Sequence, residues 1–189
     1  MRELIDIIES KIEISDLDKK HIYSIGKCIR VKKKKIILTE GQTADKLFFI
    51  KSGILRSYLI TNSGDDLTSE ITPSLNFLTS FESFGKEIPS NEFIETLTDC
   101  ELVEISKKDY LKLFNTVKEW PLFCNYLFEQ YVKKSAERIS SLKNLSAKER
   151  YNNFVSKNPE INKSVPIKHL ASFLGIKPQS LSRIRKLKN

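Results

Sequence analysis

Between Cys28 and Ile105 the chain breaks into short runs that no helix pattern fits. CIRV, KIILTEG, KLFFIKSG, ILRSYLITNSG, DLTSEITP, FIETLTDC and ELVEIS are rich in β-branched and aromatic residues. Turn signals separate them, with Gly41, Gly53 and Gly64 among the punctuation. Several short strands at this spacing predict a sandwich or barrel. Lys32–Lys35 falls inside this region, where alternation across a strand makes it a solvated strand end rather than a nucleic-acid patch.

Helical texture flanks the strands. Leu4, Ile7, Ile8 and Ile12 share a side within residues 1–25, and a second short turn follows Ser15. KKDYLKLFNTV reads as a short helix. Pro121 then opens a longer one, since proline suits the first helical position. Phe123, Leu127, Tyr131, Ile139, Leu142 and Leu145 recur at helical spacing along it. A helix of about 24 residues is roughly 36 Å long. That length predicts packing on the β domain at one end and an apolar stripe left for a second copy of the chain.

Ser146-Ala-Lys-Glu149 is a capping box, in which serine and glutamate satisfy each other's backbone amides. A new helix is expected there, running to about Lys157, with Asn158-Pro159 as its stop. The domain boundary therefore falls near Asn144. Pro166 begins a further helix with Leu170, Ala171 and Leu174 on one face, Gly175 ends it, and Pro178 starts another. Two short helices around a glycine turn are the sequence form of a helix-turn-helix.

Charge sharpens this reading. The net charge is +8, and residues 161–189 contribute seven Lys/Arg with no carboxylate. A positive field gathered at one end favours a polyanionic partner. On the last helix Leu181 and Ile184 face the core, while Gln179, Arg183 and Lys186 lie opposite, flanked by Ser180 and Ser182, with Lys177 and Lys188 at the fringes. An α-helix fits the major groove, where arginine matches the guanine O6/N7 edge and glutamine the adenine N6/N7 edge. Arg183 and Gln179 are the candidate base readers. Ser180, Ser182, Lys186 and Lys188 are candidate phosphate contacts, which position without reading sequence.

Other chemistries lack their parts. Cys28, Cys100 and Cys124 are far apart with no CxxC pair, so no zinc or iron–sulfur ligand set is expected, and no cofactor. His21 and His169 are isolated. A glycine-rich phosphate loop and a paired nucleophile and base are missing from the pattern, which predicts a non-enzyme. Apolar runs fall short of the ~20 residues of a membrane span. The N-terminus alternates charged and apolar residues without a signal-peptide core, which predicts a cytoplasmic protein with no membrane partner.

A β-rich N-terminal part, a long helix and the terminal "VPIKHLASFLGIKPQSLSRIRKL" together resemble the Crp/Fnr transcription regulators, and the likeness spans nearly the whole chain. Its most specific pieces are "LASFLGIKPQSLSRIRK", "EGQTADKLFFIKSGILRSYL" and "DCELVEISKKDYLKLF". They look most like the shorter branch common in Bacteroidetes-type bacteria. The resemblance implies an α+β protein in three parts. Residues 1–118 would be a cyclic-nucleotide-binding-like jelly roll, 119–145 a dimerisation helix and hinge, and 146–189 a DNA-binding helix-turn-helix of winged-helix type. It implies a homodimer on double-stranded DNA. The family's base-contacting positions fall on Pro178, Gln179 and Arg183, and proline offers no side-chain donor.

The sensor part departs from the family. Cyclic-nucleotide binders carry a phosphate cassette of F-G-E followed by R-S-A. The segment in register here, "NFLTSFESFGKEIPSNEFIETL", places Thr79 and Ser80 at the glycine and glutamate positions. Ser90, Asn91 and Glu92 stand where arginine, serine and alanine would be. An arginine there would neutralise the cyclic phosphate. A buried anion without it costs on the order of several kcal/mol. These five residues mark a degenerate effector pocket, which is expected not to bind cAMP or cGMP tightly. The pocket is empty, takes an unidentified small molecule, or serves as scaffold. Phe77, Phe81, Phe84 and Phe93 crowd the segment and are able to fill the pocket, and core packing is expected for most of them. The competing reading is a small-molecule sensor or protein-interaction module that binds no DNA.

Overall fold

The structure is a computed structural model, and it describes residues 1–186. The chain opens with α1 (Arg2–Glu9) and α2 (Asp16–Ile25). Leu4, Ile5 and Ile8 of α1 are buried. α2 begins where the Ser15 hydroxyl accepts from the Asp18 amide and the Asp18 carboxylate accepts from the Ser15 amide.

The expected strands follow: β1 (Lys27–Val31), β2 (Ile36–Leu38), β3 (Lys46–Ser52), β4 (Ile54–Ile60) and β5 (Asp66–Pro73). Then come β6 (Phe77–Leu78), the short helix α3 (Phe81–Lys86), β7 (Phe93–Thr96) and β8 (Cys100–Ser106). They pair antiparallel in two four-stranded sheets, ordered β1-β8-β3-β6 and β2-β7-β4-β5. This is the sandwich that the strand spacing predicts. At Gly53 (φ +97°), between β3 and β4, a Cβ would fall 2.5 Å from the Cys100 sulfur and 2.6 Å from the Asp99 carbonyl. Only glycine fits that close approach.

Beyond β8 the regular structure among the described residues is helical. α4 spans Lys107–Thr116 and α5 spans Trp120–Asn144, with Pro121 in its first turn. α6 (Ala147–Lys157), α7 (Pro159–Ser164), α8 (Ile167–Leu174) and α9 (Pro178–Lys186) follow. The capping box at Ser146 and Glu149 is formed. Pro159 both stops α6 and opens α7, a helix the sequence reading does not contain.

Two apolar clusters organise the chain. The first fills the sandwich and joins α1, α2, α4 and the start of α5, where Trp120 and Phe123 are fully buried. The second gathers Tyr151, Ile161, Val165, Leu170, Ala171, Leu174, Ile176 and Leu181 of the last helices and their turns with Ile54 and Ile71 of the strands and Leu97 just after β7. The C-terminal helices thus complete their core on the strands.

α5 divides its apolar residues between two faces. Phe123 is buried and Leu127 packs against the sandwich core. Phe128, Val132, Ile139 and Leu142 stay exposed, at 56%, 48%, 56% and 40%. Their 4-7-3 spacing, with Ser135 filling the gap, is that of a coiled-coil seam. The uncovered stripe is therefore only in part the one read from sequence: Ile139 and Leu142 belong to it, and Phe123 and Leu127 face inward. No helix among the described residues is long and apolar enough to cross a membrane.

Candidate nucleic-acid interface and sensor pocket

α8 and α9 are joined by a tight turn at Gly175. Gly175 adopts the left-handed conformation (φ +62°). The Gly175 amide donates to the Ser172 carbonyl at 3.1 Å and the Ile176 amide to Ala171 at 2.9 Å. Such a left-handed cap satisfies the carbonyls that the end of a helix leaves free. Ile176, 8% exposed, drops into the second cluster and fixes the angle between the helices. A Cβ on Gly175 would meet Leu142 Cδ2 at 2.8 Å, so the turn also lies against the end of α5.

Arg150 of α6 braces this turn. Its Nε donates to the Leu174 carbonyl (2.8 Å), its Nη2 to Gly175 (3.1 Å) and its Nη1 to Leu145 (2.6 Å). Arg185 donates from Nη2 to the Asn162 carbonyl at 2.8 Å, tying α9 to α7. Sequence reasoning assigned neither arginine, because their partners are backbone carbonyls distant in the chain.

On α9 Leu181 is fully buried and Ile184 half-buried against the second cluster. Gln179, Ser180, Arg183 and Lys186 are exposed, as are Lys177 and Pro178 at the turn. Among the described residues no ion pair engages Lys177, Arg183 or Lys186. Ser182 is half-buried and its hydroxyl donates to the Pro178 carbonyl at 3.0 Å. It reaches a phosphate as a donor only by releasing that bond. Lys188 lies outside the described residues. Lys168 of α8 is also exposed, a cation that the sequence reading did not single out.

The degenerate cassette is split by the fold. Ser80 precedes α3, and Ser80, Ser90 and Glu92 come together. Ser90 Oγ lies 3.1 Å from Ser80 Oγ, and the Glu92 amide donates to Ser90 Oγ at 3.1 Å. Thr79 turns elsewhere, donating to the Lys46 carbonyl at 2.8 Å and lining a cavity of about 340 Å³ with Leu38, Phe48 and Ile94. Asn91 is exposed. The four phenylalanines pack against other rings: Phe77 on Phe49 and Phe123, Phe81 on Tyr131, Phe84 on Tyr110, and Phe93 stacked on Tyr58.

The cassette residues bring carboxyls near one another rather than a cation. Burial pushes the Glu92 carboxyl up from its ordinary range, and the negative charge of Glu70 adds to the push. Burial raises Glu70 as well, against the fields of Lys134 and Arg138. Arg56, buried in β4, is already committed: Nη1 and Nη2 grip Asp66 at 2.6 and 2.8 Å, and Nε holds Glu95 at 3.0 Å.

Residues 28–117 match the cyclic nucleotide-binding domain family. No curated protein matches the chain. Solved structures with the same fold include FixK2 from Bradyrhizobium japonicum, 12% identical over 86% of this chain and 84% of that one, with a TM-score of 0.75. A Crp/Fnr-family transcriptional regulator from Eubacterium rectale is 20% identical over 92% and 83%, with a TM-score of 0.72. CLP from Xanthomonas campestris, a c-di-GMP-responsive global regulator, is 19% identical over 90% of both chains, with a TM-score of 0.70. The cyclic nucleotide-binding domain match thus assigns residues 28–117, and over most of its length the chain has the fold of the Crp/Fnr regulators.

Proposed function

We propose that the protein is a dimeric, sequence-specific DNA-binding transcription regulator of the cytoplasm, with no catalytic activity. Residues 1–118 form its sensor, 119–145 its dimer helix and hinge, and 146–189 its reading head. The observation that carries this reading is the outer face of α9. Gln179, Arg183 and Lys186 stand exposed on a helix held by its aliphatic side, with no carboxylate on that helix. Such a surface suits a groove of duplex DNA, with Arg183 and Gln179 toward base edges and Lys177, Ser180 and Lys186 toward phosphates. The uncovered stripe of α5 supports a dimer, which presents two α9 helices to half-sites about one helical turn apart.

The sensor is proposed to bind neither cAMP nor cGMP. By the resemblance Ser90 and Glu92 stand where a phosphate would need a cation, and the neighbouring Glu70 supplies none. An effector of other chemistry remains compatible with the pocket.

DNA binding is tested by titrating random-sequence duplex at two salt concentrations. Phosphate neutralisation makes log K fall with log salt at a slope of about 0.9 per phosphate contact. Steep loss of binding at the higher salt is expected. Absence of binding at low salt overturns the reading in favour of a sensor that acts through another protein.

A further inference from the structure

One guanidinium joins three elements where sensor and reading head meet. Arg138 projects from α5, and its Nη2 donates to the Thr68 carbonyl at 3.1 Å and to the Phe173 carbonyl at 3.2 Å. Its Cζ lies 4.9 Å from the centre of the Phe173 ring. Thr68 belongs to β5, the last strand of its sheet, and Phe173 to the final turn of α8.

The contact is continued by Ser172. Its Oγ accepts from the Thr68 amide at 2.9 Å and donates to the Asp66 carbonyl at 3.2 Å. Strand-edge groups that would otherwise want a further strand are thus taken up by α8 and α5.

From this geometry we infer that Arg138 is a positioning residue for DNA recognition, fixing α8, and through the Gly175 turn α9, at a set angle to the dimer helix. The inference rests on the reading of α9 as the DNA-contacting helix. In a dimer joined along α5, that angle decides whether the second α9 falls on its half-site once the first is bound. The second contact is intramolecular, and its gain vanishes when geometry forbids simultaneous engagement.

The same side chain borders the pocket electrostatically. Glu70 lies two residues from Thr68 on β5 and lines a cavity of about 220 Å³ with Tyr131 and Gln130. Its charge is felt at Arg138, whose ionised form burial disfavours.

The test compares wild type with Arg138→Met, which keeps the aliphatic stem and removes charge and donors. Two duplexes are used: the consensus selected by the wild type from random DNA, and the same duplex with one half-site scrambled. A tenfold or greater loss on the intact site, with less than twofold change on the half-site, is expected. Equal losses on both, or none on either, overturn the inference. If the wild type selects no DNA, the DNA reading itself fails, and a distance measurement decides the role of Arg138. Spin labels at Asn62→Cys and Ser156→Cys, with Cys28 and Cys124 replaced by serine and the labelled chain diluted in excess unlabelled protein, should give one narrow distance with Arg138 present and a broadened one in Arg138→Met. An unchanged distribution overturns it.

Discussion

Ser172 Oγ accepts the backbone N–H of Thr68 at 2.9 Å, linking α8 to strand β5, 104 residues earlier in the chain. Thr68 is fully buried, so water cannot replace this partner. Ser172→Ala should destabilise the protein by about 1–3 kcal/mol, the cost of leaving a buried donor unsatisfied. Urea unfolding with an unchanged slope and a lower midpoint checks it. A midpoint equal to wild type would mean that the two parts do not hold each other in solution.

Arg183→Ala is expected to relax selectivity at one base pair, lowering discrimination there by about 1–3 kcal/mol. Binding measured across a panel of single-base variants of the selected site tests this. Uniform weakening over the panel would assign Arg183 to a phosphate instead.

Isothermal calorimetry with cAMP and cGMP should give no micromolar binding. By the family resemblance Ser90 and Glu92 stand where a cation would be needed, and Arg56 is spent on Asp66 and Glu95. Micromolar or tighter affinity for either nucleotide would refute the account of the sensor.

Glu70 and Glu92 have folded-state pKa values raised above the unfolded range by burial. Between the unfolded and folded values the native state binds more protons than the unfolded one, so stability falls as pH rises through that window. Glu70→Gln should remove part of this fall. Its melting temperature should exceed that of wild type at pH 8 and approach it near pH 4. A variant less stable than wild type at pH 8 would show that the Glu70 charge is satisfied, contrary to the reading of the pocket.

Ile139→Glu places a charge on the uncovered seam of α5 at a position 56% exposed in the single chain. Its fold should survive while its dimer does not. Light scattering should give about the monomer mass of 21.8 kDa for the variant and twice that for wild type.

Local chemistry made much of this fold legible. Alternating β-rich runs, the Ser146–Glu149 box and the glycine between α8 and α9 each specify their structure within a few residues, and all three form as read. The exposed face of α9 followed from helical projection alone. Long-range choices were not legible. Two adjacent apolar rows run along α5, and only the packed sandwich decides that Phe123 and Leu127 turn inward while Phe128 and Val132 stay out. The docking of Ser172 and Arg138 on β5 uses backbone partners, which leave no mark on residue pattern. α7 was missed because a proline that ends one helix serves equally well as the first residue of the next.

The most direct test is selection of duplexes from a random pool by the purified protein, followed by sequencing. The account predicts an enriched palindrome with half-site centres about one helical turn apart, lost on substitution of Arg183. A pool that stays random, or an enriched site indifferent to Arg183 and Gln179, would contradict it.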